Sequence, residues 1–136
     1  MTLRPALAAA LAAALAVTAC SATYVRQSGL ANAPLRPPER ELLAGLKQYE
    51  EGELKLAQAS LQKALADGLA YDADRVTAHK YLGFIDCATG RERECREQFA
   101  AALALDPKLE LTRAEAGHPV WGPAFRSVKA TVVPTR

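Results

Sequence analysis

The stretch Val76 to Pro107, VTAHKYLGFIDCATGRERECREQFAAALALDP, decides the fold. Its first half places Val76, Tyr81, Leu82, Phe84 and Ile85 at helical spacing. Its second half does the same with Cys95, Phe99, Ala102 and Leu103, so the stretch reads as two amphipathic helices. Gly90 stands between them, where a left-handed backbone conformation ends a helix at no steric cost. Pro107 closes the second helix, because a proline cannot continue it. A hairpin of this kind cannot bury both apolar faces alone, so it requires a neighbour.

The neighbour is upstream, in Pro38 to Tyr71. Gly45, Gly52, Ala57, Leu61, Ala64 and Leu65 each have a counterpart 38 positions later, at Gly83, Gly90, Cys95, Phe99, Ala102 and Leu103. Small residues recur where helices approach closely, and large ones recur where a groove must be filled. The chain therefore contains an internal helical repeat.

At these residues the chain resembles the tetratricopeptide repeat, a helix-turn-helix of about 34 residues carrying Leu-Gly, an aromatic, a small residue, Phe, Ala and Pro in order. The second copy matches through Leu82, Gly83, Cys95 in the small site, Phe99, Ala102 and Pro107. It departs at the first-helix aromatic, where Asp86 stands. The first copy has Gly45, Tyr49 one place late, Ala57, Leu61 and Ala64, and lacks the closing proline. The longer period puts about four extra residues, relative to the family repeat, in the joint DGLAYDAD. In that family the first helix of each hairpin lines a concave face. Carried onto this chain, the resemblance implies a partner groove formed by Leu42, Leu46, Tyr49, Thr77, Lys80 and Phe84. Such a face suits an extended peptide or a partner helix; the alternative is that Leu46, Tyr49 and Phe84 are core.

Residues 1–19 read as a leader, with Arg4 as the positive region and an Ala/Leu run from Ala6 to Val17 too short to span a bilayer. Val17-Thr18-Ala19-Cys20 resembles the bacterial lipobox, in which the Cys thiol carries a diacylglycerol. The alternative is an ordinary secretory signal cleaved near Ala19. Ser21, in place of an Asp, makes the outer membrane the default destination. Residues 20–37 form the lipidated Cys and a flexible tether rich in Ser, Thr, Gln, Asn and Pro. Residues 38–129 are the helical domain and residues 130–136 a frayed tail.

Removing the leader takes one Arg from the 17 Lys and Arg, leaving 16 against 15 Asp and Glu. A nearly neutral chain without a basic stripe is a poor ligand for nucleic acid. Repeat arrays usually need about three units with capped ends, so two hairpins need support. Cys87 and Cys95 flank the Gly90 turn and stand where the first repeat has Tyr49 and Ala57, a pair that packs across the family's hairpin. In an oxidising compartment they read as a disulfide; the alternative is two buried thiols. His79 lies too far back to complete a metal site with them.

The second support is the end of the chain. Thr112 and Glu115 fit a capping box, predicting a short helix after Pro107. Trp121, Phe125 and Val128 then share one face of a last helix, with Trp121 and Phe125 capping the second hairpin. The alternative reading of Trp121 is a partner-binding patch with His118. The expected fold is thus all-α: two tetratricopeptide-like hairpins and a C-terminal capping helix, after a lipoprotein signal peptide and tether.

Together, the lipobox, the repeat pair, GRERECREQF and EAGHPVWGPAF resemble the TssQ-type lipoproteins associated with type VI secretion, over residues 38–129 plus the anchor. That resemblance implies an accessory role at the outer membrane, through contact with a periplasmic or envelope protein such as a secretion component. Catalysis has little support. His79 and His118 are far apart, Cys87 and Cys95 are not a Cys-x-x-Cys pair, and there is no glycine-rich phosphate loop. Glu50, Glu51, Glu53, Asp72, Asp74 and Asp86 read as solvated faces or caps. No cofactor or metal is implied. The expectation is a membrane-anchored adaptor. Its alternatives are a general envelope or cell-wall scaffold lipoprotein and a glycan-binding accessory using Trp121 and Tyr49.

Overall fold

The computed structural model describes residues 34–132; the leader, Cys20, most of the tether and residues 133–136 lie outside the described residues. Among the described residues six helices follow in order: α1 (Pro37–Glu50), α2 (Leu54–Asp67), α3 (Asp72–Ala88), α4 (Glu92–Leu105), α5 (Arg113–Ala116) and α6 (Trp121–Val132). Among the described residues there are no strands. The fold is all-α, packed as helical hairpins.

The two hairpins turn in the same way. Gly52 and Gly90 adopt φ of +79° and +77°. At the first turn the Gly52 N–H donates to the Tyr49 carbonyl (3.0 Å) and the Glu53 N–H to that of Gln48 (2.8 Å). At the second, Gly90 donates to Cys87 (3.2 Å) and Arg91 to Asp86 (2.8 Å). This double bond pattern satisfies the last carbonyls of a helix and needs a left-handed residue at its centre. Each donor and acceptor of one turn has its counterpart 38 residues on.

Close approach inside each hairpin repeats in the same register. A Cβ on Gly45 would lie 2.8 Å from Leu61 Cγ, and one on Gly83 would lie 2.7 Å from Phe99 Cε1. Both contacts are shorter than real carbon atoms tolerate, so α1 sits on α2, and α3 on α4, at a distance only glycine permits. Leu61 and Phe99 are wholly buried by this arrangement.

Two apolar clusters result. One joins the hairpins, with Leu42, Ala57, Leu61, Ala64, Leu69, Ala78, Leu82 and Ile85 at its heart. Leu69 comes from the joint between α2 and α3, so the residues that lengthen the repeat contribute to the core. The other fills the second hairpin and α6, through Phe84, Cys87, Cys95, Phe99, Leu103, Phe125 and Val128. Cys87 and Cys95 are disulfide-bonded, with Cα atoms 5.1 Å apart. They tie the end of α3 to the start of α4.

Asp86 differs from its expected place on a solvated face. It is 3% exposed. Arg91 donates to its Oδ1 at 2.5 Å and Gln58 Nε2 at 3.3 Å. Burial pushes its carboxyl above the ordinary range even though the Arg91 guanidinium pulls the other way. The position where the repeat family has an aromatic thus holds a polar link between the two hairpins.

α6 runs along α4 in the same direction. Its first residues meet the turn end of the hairpin, where Pro123 and Ala124 share a cavity wall with Cys87 and Gly90. Phe125 packs edge-on against Phe99 at 5.3 Å, and Lys129 Nζ reaches the Leu109 carbonyl beyond the far end of α4 at 2.8 Å. The helix continues to Val132, so it includes the first residues of the expected frayed tail. A 14-residue helix is about 20 Å long. To begin α6 where it does, residues 106–120 must travel back along the hairpin, and this strap carries α5.

Candidate functional site

The expected groove residues divide between core and surface. Leu42 is 4% exposed and Phe84 1% exposed, so neither is part of an open groove. Leu42 is covered because α1 is pressed onto α2 and α3 in the inter-hairpin cluster. Phe84 is enclosed between Phe99, at a centroid distance of 5.9 Å, and Trp121, at 4.9 Å. Leu46, Tyr49, Thr77 and Lys80 are half-buried. The Thr77 hydroxyl donates to the Ala73 carbonyl of its own helix at 2.9 Å.

What remains is a face built by α1 and α3 around a row of rings. Tyr49 of α1 meets Tyr81 of α3 edge-on at 5.0 Å, and Tyr81 meets Phe84 at 5.5 Å. Trp121 continues the row, and His118 stacks on it at 3.2 Å. Lys80 stands over this row, with Nζ 5.1 Å from the Tyr81 ring centre and 5.7 Å from that of Phe84. A cation above aromatic faces is attracted by their negative quadrupole faces.

Lys80 does not face open water alone. Its Nζ donates to Glu115 Oε1 of the strap at 2.8 Å, with both side chains less than one-fifth exposed. The other oxygen of Glu115 accepts the Thr112 N–H at 2.8 Å, while the Glu115 N–H donates to the Thr112 hydroxyl. This is the capping box read from the sequence. One carboxylate therefore both starts α5 and fastens the strap to α3. Burial pushes Glu115 upward, but the Lys80 bond and the Thr112 N–H outweigh it and hold the carboxyl below its ordinary value.

Trp121 and Phe125 both lie against the second hairpin, Phe125 buried and Trp121 half-buried. The Trp121 Nε1 is buried without a hydrogen-bond partner. His118 accepts the Val120 N–H through Nδ1 at 3.2 Å. The other histidine, His79, bonds Gln98 Oε1 at 2.8 Å in the seam between α3 and α4. The structure thus places the two histidines in separate environments. Among the described residues, no three His, Cys, Asp or Glu side chains gather where they could hold a metal ion. None of the helices searched is long and apolar enough to cross a membrane.

Sequence reasoning missed two members of this face. In the sequence Tyr81 reads only as an apolar helix position, and Glu115 only as a cap. The capping box and the spacing of Leu109 and Leu111 signal an ordered strap, but nothing local points from Glu115 to a lysine 35 residues earlier.

No family model matches this chain, and no curated protein and no solved structure is significantly similar to it.

Proposed function

We propose that this protein is an outer-membrane-anchored periplasmic adaptor lipoprotein of the tetratricopeptide-like kind, accessory to type VI secretion and acting by protein–protein contact rather than catalysis. The reading rests on the resemblance to the TssQ-type lipoproteins and on the lipobox ending at Cys20. The observation that carries the adaptor part is the α1–α3 face, where Leu46, Tyr49 and Lys80 are half-buried around a row of aromatic rings. A rigid helical scaffold presenting apolar rings beside one cation suits recognition of a peptide segment. A lipid on Cys20 and a tether ahead of α1, which begins at Pro37, allow that scaffold to stand off the inner leaflet of the outer membrane.

The test compares the wild-type protein with Cys20→Ser in a strain deleted for the gene. Wild type is expected to incorporate labelled palmitate, to fractionate with the outer membrane and to restore type VI-dependent killing of a competitor. Cys20→Ser is expected to do none of these. Palmitate labelling unchanged in Cys20→Ser would remove the anchor, and killing unaffected by the deletion would remove the secretion role.

A further inference from the structure

The cation of the α1–α3 face is taken by the chain's own strap, and the way it is held identifies what else fits there. Residues 108–118 lay Leu109 and Leu111 against the second apolar cluster and offer Glu115 to Lys80. Their hold on α3 is slight. α5 contains no buried residue, and among the described residues the polar link between this segment and α3 is the Lys80–Glu115 pair. On its other side the strap is tied to α6, by Arg126 to the Ala116 carbonyl at 3.2 Å and by Lys129 to that of Leu109. A segment fastened along one edge and clasped by a single ion pair along the other can lift without unfolding the hairpins beneath.

Building on the adaptor reading, we infer that the strap is a displaceable internal ligand of Lys80 on the α1–α3 face, and that the partner replacing it presents an acidic peptide segment whose carboxylate takes the place of Glu115. Charge complementarity supports this choice of occupant. Lys80 Nζ stands within 6 Å of the Tyr81 and Phe84 ring centres, and an unpaired ammonium in a half-buried setting seeks a carboxylate. The strap shows which group satisfies it: the Glu115 carboxylate, at 2.8 Å. As a tethered competitor, the strap acts at an effective concentration on the order of 1 mM. It therefore masks the face from weak ligands and yields to those that bind better.

The experiment uses full-length protein and a fluorescent synthetic peptide copying residues 108–118, KLELTRAEAGH. Fluorescence anisotropy measures its binding to wild type, to Glu115→Lys, and to the double variant Lys80→Glu with Glu115→Lys. The single variant sets two cations against each other and opens the clasp; the double variant restores an ion pair of reversed sense. The peptide is expected to bind Glu115→Lys at least about tenfold more tightly than wild type, since the internal competitor is lost. The double variant should return to wild-type weakness, and a peptide with Gln at the Glu115 position should lose the gain. A folded Glu115→Lys that binds no better than wild type would overturn the inference. So would a concentration-dependent dimer of Glu115→Lys, which would make the natural occupant a second copy's strap. Should Glu115→Lys fail to fold, hydrogen exchange on the wild type decides: amides of residues 112–118 must exchange well before those of α3 and α4, and exchange at one common rate contradicts a lifting strap. None of these results depends on type VI secretion, so the adaptor's cellular role and the strap's displacement stand or fall separately.

Discussion

Replacing Gly83 with alanine sets two effects of opposite sign against each other. Inside a helix, Gly→Ala is favourable by about 1 kcal/mol, because the glycine backbone loses more freedom on folding. Here the new Cβ would stand 2.7 Å from Phe99 Cε1 and 2.8 Å from Cδ1. The ring cannot swing aside, because Phe84 lies at 5.9 Å on one side and Phe125 at 5.3 Å on another, and Phe99 has no exposed surface. Relief requires α3 and α4 to move apart, and overpacking of this type costs about 1–3 kcal/mol. The rigid ring places Gly83 toward the upper part of that range, so the net loss is about 1–2 kcal/mol. For a domain of this size, that lowers Tm by about 4–8 °C per kcal/mol. Thermal unfolding followed by circular dichroism measures it, and the double variant with Phe99→Leu should lose less than the two single changes together, since the smaller side chain makes room. A Tm for Gly83→Ala above that of the wild type would refute the close-packed hairpin.

Three further outcomes follow from the geometry. Alkylation of the unreduced protein should leave Cys87 and Cys95 unlabelled, and reduction should cost about 2–3 kcal/mol for so short a loop; two free thiols in the purified protein would contradict the bond. Trp121→Ala should destabilise near the lower end of the about 3–5 kcal/mol usual for truncating a core aromatic, because Trp121 is only half-buried; unchanged melting with lost partner capture would instead make it a contact residue. The lowered pKa of Glu115 means it stabilises the fold above its ordinary carboxylate value, and this contribution is lost as pH falls through the folded value. Asp86, raised by burial, works in reverse, its contribution fully present below the ordinary value and lost as pH rises through the folded one. Stability–pH curves should therefore show Glu115→Gln flattening the acid limb, and an acid limb identical to the wild type would count against the clasp.

Much of the hairpin architecture was legible in the residues. Gly45 and Gly83 had to be small because Leu61 and Phe99 lie under them, and a repeat preserves such pairs at one spacing. The Gly52 and Gly90 turns were equally plain, since few residues other than glycine accept their backbone angles. The face was less legible. Periodicity marks Leu42 and Phe84 as inward-facing on their helices, but it does not say which neighbour covers them, and here that neighbour is partly the chain's own end. Asp86 was misread for a related reason: its partners Gln58 and Arg91 come from another helix and from beyond a turn, and a charged residue at a helical position carries no sign of burial. The strap's polar link to α3 is an ion pair between residues 35 positions apart, which leaves no local pattern.

The central claim is that the α1–α3 face of an envelope-anchored protein meets a protein partner. A photo-crosslinking residue placed singly at Leu46, Tyr49 or Thr77, and as a control at exposed Gln62 on α2, tests this in intact cells. The account predicts one crosslinked envelope protein shared by the three face positions, none from Gln62, and loss of the product when Cys20→Ser is added. Crosslinks from Gln62 with silence at the face positions would place the working surface on the other side of the hairpins and contradict the account.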